Sequence, residues 1–154
     1  MRWLVVIKFP SRGIHDNKPT PSTLYEIITK ELNFTDVCLD KVKFNAEEEL
    51  WGNMSYCNPP FSKKKPFVIR AVESNRAGSE VLLYLPFDPS TSWFRTLYEQ
   101  NVLVMVFMKR MAHAKFPHAL FHMKAHGEPR VVLLKDEHDV LKFLRDYSSS
   151  SREG

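Results

Sequence analysis

Met54-Ser55-Tyr56-Cys57 runs directly into Asn58-Pro59-Pro60-Phe61, and Ser62-Lys63-Lys64-Lys65-Pro66 follows at once. The first four residues read as a short strand. Each proline fixes its own φ and restricts the residue before it, so the next four form a stiff loop able to aim Asn58 and Phe61. Pro66 then opens a helix in which Phe67, Val68, Ala71 and Val72 share a face, and Gly78 stands where a C-terminal cap is expected.

The same alternation extends in both directions. Trp3 to Phe9 reads as a strand ending at Pro10, and Pro10 to Pro19 as a loop. Leu24, Ile27, Ile28 and Leu32 recur at helical spacing, with Pro21 suited to a first turn and Thr23-x-x-Glu26 resembling a capping box. Asn33 to Leu39 is a short strand ending near an acidic residue, and Ala46 to Asn53 a polar connection. Val81 to Leu85 is a continuous apolar run, which predicts a strand buried on both faces. Thr91 to Gln100 reads as a helix, and Val102 to Phe107, Ala119 to Met123 and Arg130 to Leu134 read as strands. A last amphipathic helix begins at Asp136 and carries Val140, Phe143, Leu144 and Tyr147. Strands alternating with helices predict an α/β fold: a mainly parallel sheet with helices on both faces and an antiparallel edge from the late strands. Residues 1–147 are expected to form one domain and 148–154, without apolar content, a flexible tail.

Phe61 to Arg130 holds eleven Lys/Arg against five Asp/Glu, a net +6, whereas Asn33 to Leu50 is net −3. That asymmetry favours an anionic partner such as nucleic acid beside the second segment. Two cysteines, Cys38 and Cys57, make no disulfide framework, so a reducing compartment is expected. No apolar run approaches membrane-spanning length and the N-terminus does not read as a signal peptide. A soluble intracellular protein without a membrane partner is the expectation. His118, His122 and His126 recur every four residues, after His113, but no Cys or carboxylate completes a ligand set, and no metal site is expected.

The loop also has a chemistry. An aromatic amino group such as that of adenine is a weak nucleophile, because its lone pair is delocalised into the ring. Two acceptors receiving both amino hydrogens favour the pyramidal nitrogen that can attack a methyl sulfonium. Asn58 can supply its side-chain oxygen, Pro59 its backbone carbonyl, and Phe61 a stacking face for the base, worth about 1–3 kcal/mol. Lys63, Lys64 and Lys65, extended by Lys109, Arg110 and Lys115, can hold phosphates while a base is flipped out.

The tetrapeptide resembles the catalytic motif of S-adenosylmethionine-dependent amino-methyltransferases, and the flanking pieces resemble the small phage-type DNA N6-adenine methyltransferase family in the same order. Thr20-Pro21 with Leu24-Tyr25 is similar to that family's first-helix start, and Phe34-Thr35-Asp36-Val37-Cys38 to the segment that closes its first core strand beside the cofactor. Trp51-Gly52, Leu85-Pro86, Thr91, Trp93-Phe94 and Phe116 to Leu120 continue the match, which runs from about Thr20 to Met123. The resemblance implies a Rossmann-like methyltransferase fold, S-adenosylmethionine as cofactor, and DNA adenine as substrate. Asn58, Pro59, Pro60 and Phe61 would be catalytic; Thr20, Pro21, Asp36, Val37 and Cys38 would line the cofactor site. It also implies that Cys38 and Cys57 are neighbours, that RNA adenine or an amide would fit the same loop, and a viral or phage source. The stretch from Asp36 to Asn58 is shorter than in that family and lacks a Gly-rich turn. This motivates the competing reading: a catalytically inactive methyltransferase-fold subunit of a larger, virion-associated assembly that binds nucleic acid.

Overall fold

The computed structural model describes residues 19–38, 44–109, 116–124 and 128–145. The Trp3–Phe9 strand, most of the loop after it, and the Ser148–Gly154 tail lie outside the described residues. Strand and helix alternate as the sequence predicts. Helix α1 (Ser22–Glu26) continues into a π-helical turn at Ile27–Glu31, followed by β1 (Thr35–Asp36) and β2 (Met54–Cys57). A 3₁₀ turn at Phe61–Lys63 leads into α2 (Lys64–Arg76), then β3 (Glu80–Pro86), α3 (Ser92–Tyr98), β4 (Leu103–Phe107), β5 (His118–Met123) and β6 (Arg130–Leu134). A last helix, α4, spans 139–145.

The strands form one mixed sheet in the order β1-β2-β3-β5-β4-β6. The β1–β2, β2–β3 and β4–β6 pairs are parallel, and β5 is antiparallel to both of its neighbours. The antiparallel strand expected among the late elements is therefore β5, and its place is inside the sheet; the rim strand β6 runs parallel to β4. Ten residues, Met108 to Pro117, join β4 to β5, fewer than the dozen or more that a parallel crossover needs. The chain turns back and fills the slot between β3 and β4.

Val81 to Leu85 is buried throughout, as a strand covered on both faces requires. Val81, Leu83 and Leu85 pack with Phe67, Val68, Ala71 and Val72 of α2 and with Trp93, Phe94 and Leu97 of α3. Leu82 and Tyr84 belong to the opposite layer, with Leu24 and Ile28 from the first helix and Val140 and Leu144 from α4. The strand period of two thus divides one apolar run between two cores.

Three local details differ from expectation. The first helix begins at Ser22 with Pro21 as its cap and no side-chain cap bond, so the Thr23–Glu26 capping box does not form. The first strand shrinks to Thr35–Asp36, because the Asp36 carboxylate accepts the Cys38 N–H at 2.9 Å and turns the chain. Thr91 caps α3 by accepting the Phe94 N–H at 3.3 Å, and the helix starts one residue later than the periodicity suggests.

At the amino end of β3, Glu80 lies 2.7 Å from His122 Nε2 and 3.3 Å from Lys124 Nζ. Burial pushes the Glu80 carboxyl up, but the hydrogen bond and charge of His122, with Lys124, outweigh it and hold the group below its ordinary range. A carboxyl depressed by folding adds stability above its unfolded pKa of about 4.3 and loses it as pH falls through the folded value. Glu80→Gln is therefore expected to flatten the acid limb of the stability-versus-pH curve below about pH 4.3; urea unfolding of both proteins across that range checks it.

Candidate active site

The carboxyl ends of β1 and β2 open into a cavity of about 670 Å³, within the usual range for small-molecule sites. Thr20, Asp36, Val37, Cys38, Asn58, Pro60 and Lys63 line it. Thr20 and Asn58, 38 positions apart in sequence, thus border one cavity, since parallel pairing sets Asp36 beside Tyr56 and sends both strand ends the same way. Ligands in open α/β sheets bind at this end of the strands.

Two hydrogen-bonded ties hold the start of α1 against the strand ends. Thr20 Oγ1 accepts from Asn58 Nδ2 at 3.2 Å and lies 2.5 Å from the hydroxyl of Tyr56. Tyr25 donates its hydroxyl to Asp36 Oδ2 at 2.7 Å, and its ring meets Tyr56 edge-on. Partial burial, with the hydrogen bond to and charge of Asp36, pushes the Tyr25 phenol up to about 12. Burial likewise raises Tyr56 well above its ordinary value. Both oxygens of Asp36 thus accept protein hydrogens, one from Tyr25 and one from the Cys38 amide; the carboxylate braces the cavity wall.

The described part of the connection between β1 and β2 borders the same cavity. Phe44, Asn45, Ala46 and Glu47 face the cavity. Asn45 organises the turn: its carbonyl accepts the amides of Glu48 and Glu49, its side chain that of Glu47, and its own amide donates to Glu49. Trp51 anchors it from below, donating from Nε1 to the Ala46 carbonyl at 2.7 Å. The Trp51 amide donates to Ser74 and its carbonyl accepts from Ser79. Lys63, from the turn after the Pro-Pro loop, pairs with Glu47 at 3.3 Å, both among the cavity lining.

Other predicted residues fall elsewhere. Pro59 is buried and Pro21 is the α1 cap, beside the cavity lining. Phe61 belongs to the 3₁₀ turn, but its side chain lies outside the described residues. Lys64 and Lys65 open α2, and Lys109 follows β4 and pairs with Glu137 at 3.5 Å. Arg110 and Lys115, with His113 and His126, lie outside the described residues. His118 stacks on Tyr84 and His122 bonds Glu80, both as buried strand residues. Cys57 is buried, with Cys38 at hydrogen-bond range and both thiols free; burial, then Cys38, pushes the Cys57 thiol well up. Sequence reading missed Tyr25, Tyr56 and Glu47 as site residues. The signal was present for Tyr56, a polar-tipped aromatic immediately before a stiff loop.

The fold and the position of this cavity define a Rossmann-like α/β protein of the methyltransferase type. The family model of DNA N-6-adenine-methyltransferase (Dam) matches residues 12–138, and the chain belongs to that family. The match takes in residues 12–19 and 124–138, beyond the motifs that first suggested it. Neither a curated protein nor a solved structure matches the chain. Among the described residues no helix is long and apolar enough to cross a membrane.

Proposed function

We propose that this protein transfers a methyl group from S-adenosylmethionine to the exocyclic amino group of adenine in DNA. The observation that carries the reading is that Asn58 and Pro60 line the same cavity as Thr20 and Asp36–Cys38, in a member of the Dam family. The lining suits the cofactor's chemistry. Glu26 and Glu47 offer carboxylates to its hydroxyl and ammonium groups, and Phe44, Phe67 and Pro60 apolar surface to its base. When bound, S-adenosylmethionine supplies an electrophilic methyl on a sulfonium. Asn58 and the Pro59 carbonyl accept the two amine hydrogens and hold the nitrogen for in-line attack. Phe61 stacks on the flipped base. Lys63, Lys64, Lys65 and Lys109, with Arg110 and Lys115, provide the cationic surface for the DNA backbone. The methylated amine is acidic enough to lose its proton to water, so the site requires no strong base.

The test is calorimetric titration with S-adenosylmethionine, followed by incubation with unmethylated duplex DNA and mass spectrometry of the digested nucleosides. Micromolar binding and N6-methyladenine are expected. No binding at millimolar cofactor would leave a scaffold without catalysis, and methylation of RNA alone would move the substrate.

A further inference from the structure

We infer that Thr20 and Tyr56 are positioning residues that set the orientation of the Asn58 amide, with Thr20 acting on Asn58 and Tyr56 acting through Thr20. This rests on the reading of Asn58 as the group that receives the substrate amine.

A primary amide presents a donor face and an acceptor face of nearly the same shape, and only the acceptor can receive an amino hydrogen. Packing alone does not distinguish the two; a hydrogen-bond partner does. In this structure Asn58 Nδ2 donates to Thr20 Oγ1 at 3.2 Å, which commits the nitrogen to the α1 side and turns the oxygen the other way. Thr20 is able to hold that role because its own oxygen is fixed 2.5 Å from Tyr56 Oη. Tyr56 is fully buried in β2, two residues before Asn58 on the same strand exit. Its ring is gripped edge-on by Tyr25, which is itself tied to Asp36. Thr20 precedes the helix and is only partly buried; without the phenol its hydroxyl could rotate and accept from the amide or donate to it with equal ease. We take Thr20 as the donor to Tyr56 Oη: its one hydrogen is then committed there, and the amide must present Nδ2 to the remaining lone pairs. The chain Tyr56–Thr20–Asn58 thus carries the rigidity of the sheet to the tip of the loop.

This assigns Thr20 a role other than contact with the cofactor, and the two roles separate in kinetics. Thr20→Val removes the hydroxyl at constant shape; Tyr56→Phe removes the phenol oxygen; Thr20→Ser restores a hydroxyl. If the inference holds, Thr20→Val and Tyr56→Phe lower kcat by about 10- to 100-fold through misplacement of the acceptor. The S-adenosylmethionine Kd, measured by calorimetry without DNA, stays within about threefold, and Thr20→Ser recovers most of the rate. A weakened cofactor Kd with unchanged kcat at saturating cofactor would overturn it and make Thr20 a cofactor contact. The side-chain amide signals of Asn58 provide a readout independent of turnover. In the 15N-labelled protein they are identified by their loss in Asn58→Ala, and they should shift in Thr20→Val and Tyr56→Phe but return in Thr20→Ser. Unchanged amide signals would overturn the inference whether or not the wild-type protein methylates DNA. A wild type that methylates no DNA while these signals respond would instead reject the proposed reaction and leave the positioning intact.

Discussion

Asn58→Ala is expected to lower adenine methylation by about 10²- to 10³-fold, the usual consequence of removing one preorganised polar contact to a transition state. The side chain is half-buried at the exit of β2, and its amide donates to Thr20 in the ground state. Losing that bond should cost about 1 kcal/mol of stability. Cofactor affinity should change little, because the acceptor acts on the substrate amine. Transfer of labelled methyl to duplex DNA, with thermal unfolding and cofactor calorimetry as controls, measures all three. Full activity in this variant would remove the assignment of the Asn-Pro-Pro-Phe loop as the catalytic element. Asn58→Asp is an informative companion: it keeps an acceptor for the amine but replaces the donor facing Thr20 with an oxygen, so it should retain more activity than alanine.

Trp51→Ala carries the second large effect, on stability and on the cavity together. Trp51 is 4% exposed and packs in the layer beneath α2. Truncating a buried tryptophan typically costs about 3–5 kcal/mol. The indole N–H also holds the Ala46 carbonyl at 2.7 Å, and Ala46 lines the cavity. Trp51→Phe separates the two contributions. It keeps much of the apolar contact and the backbone bonds to Ser74 and Ser79, but leaves the Ala46 carbonyl without its donor, at a cost of about 1–3 kcal/mol. S-adenosylmethionine affinity should fall in both variants as the 44–47 wall loosens. Urea unfolding gives the stability change, and calorimetry on the folded Trp51→Phe protein gives the effect on the wall. An unchanged Kd in Trp51→Phe would show that this turn does not contact the cofactor.

Much of the fold was legible because its elements are strongly patterned. Met54–Cys57 and Arg130–Leu134 have the bounds their sequence suggests. The buried run at Val81–Leu85 announces a strand between two layers. Misses occur where a single side chain overrides the pattern. Asp36 captures the Cys38 amide and ends β1 early, and Pro21 takes the cap position that the sequence left open between Thr20 and Thr23. The position of β5 was not readable either, since apolar strands of equal length carry no signal of their neighbours in the sheet.

The candidate site was legible in its motif residues and not in their supports. Asn58-Pro59-Pro60-Phe61 stands out because proline stiffness and an amide at a strand end are local properties, whereas Thr20 and Asp36–Cys38 entered only through the resemblance to the methyltransferase family. The short span from Asp36 to Asn58 had suggested a missing cofactor wall. In the described part of that span, Asn45 and Trp51 hold residues 44–47 at the cavity, with Glu47 among its lining. In sequence Glu47 is one acid among three, Tyr25 one residue on a helix and Tyr56 one strand aromatic.

By itself, then, the sequence determined the alternation of elements, the two-sided burial of the central strands and the stiff loop at the end of β2. All of these follow from interactions within a few residues: backbone restriction by proline, hydrophobic periodicity and capping. Only the tertiary structure decided that β5 returns inside the sheet, that the 44–47 turn closes a cavity, and that Tyr56 and Thr20 stand behind Asn58. Those depend on which strand ends lie side by side, and Thr20 and Asn58, 38 residues apart, meet only once the sheet has formed.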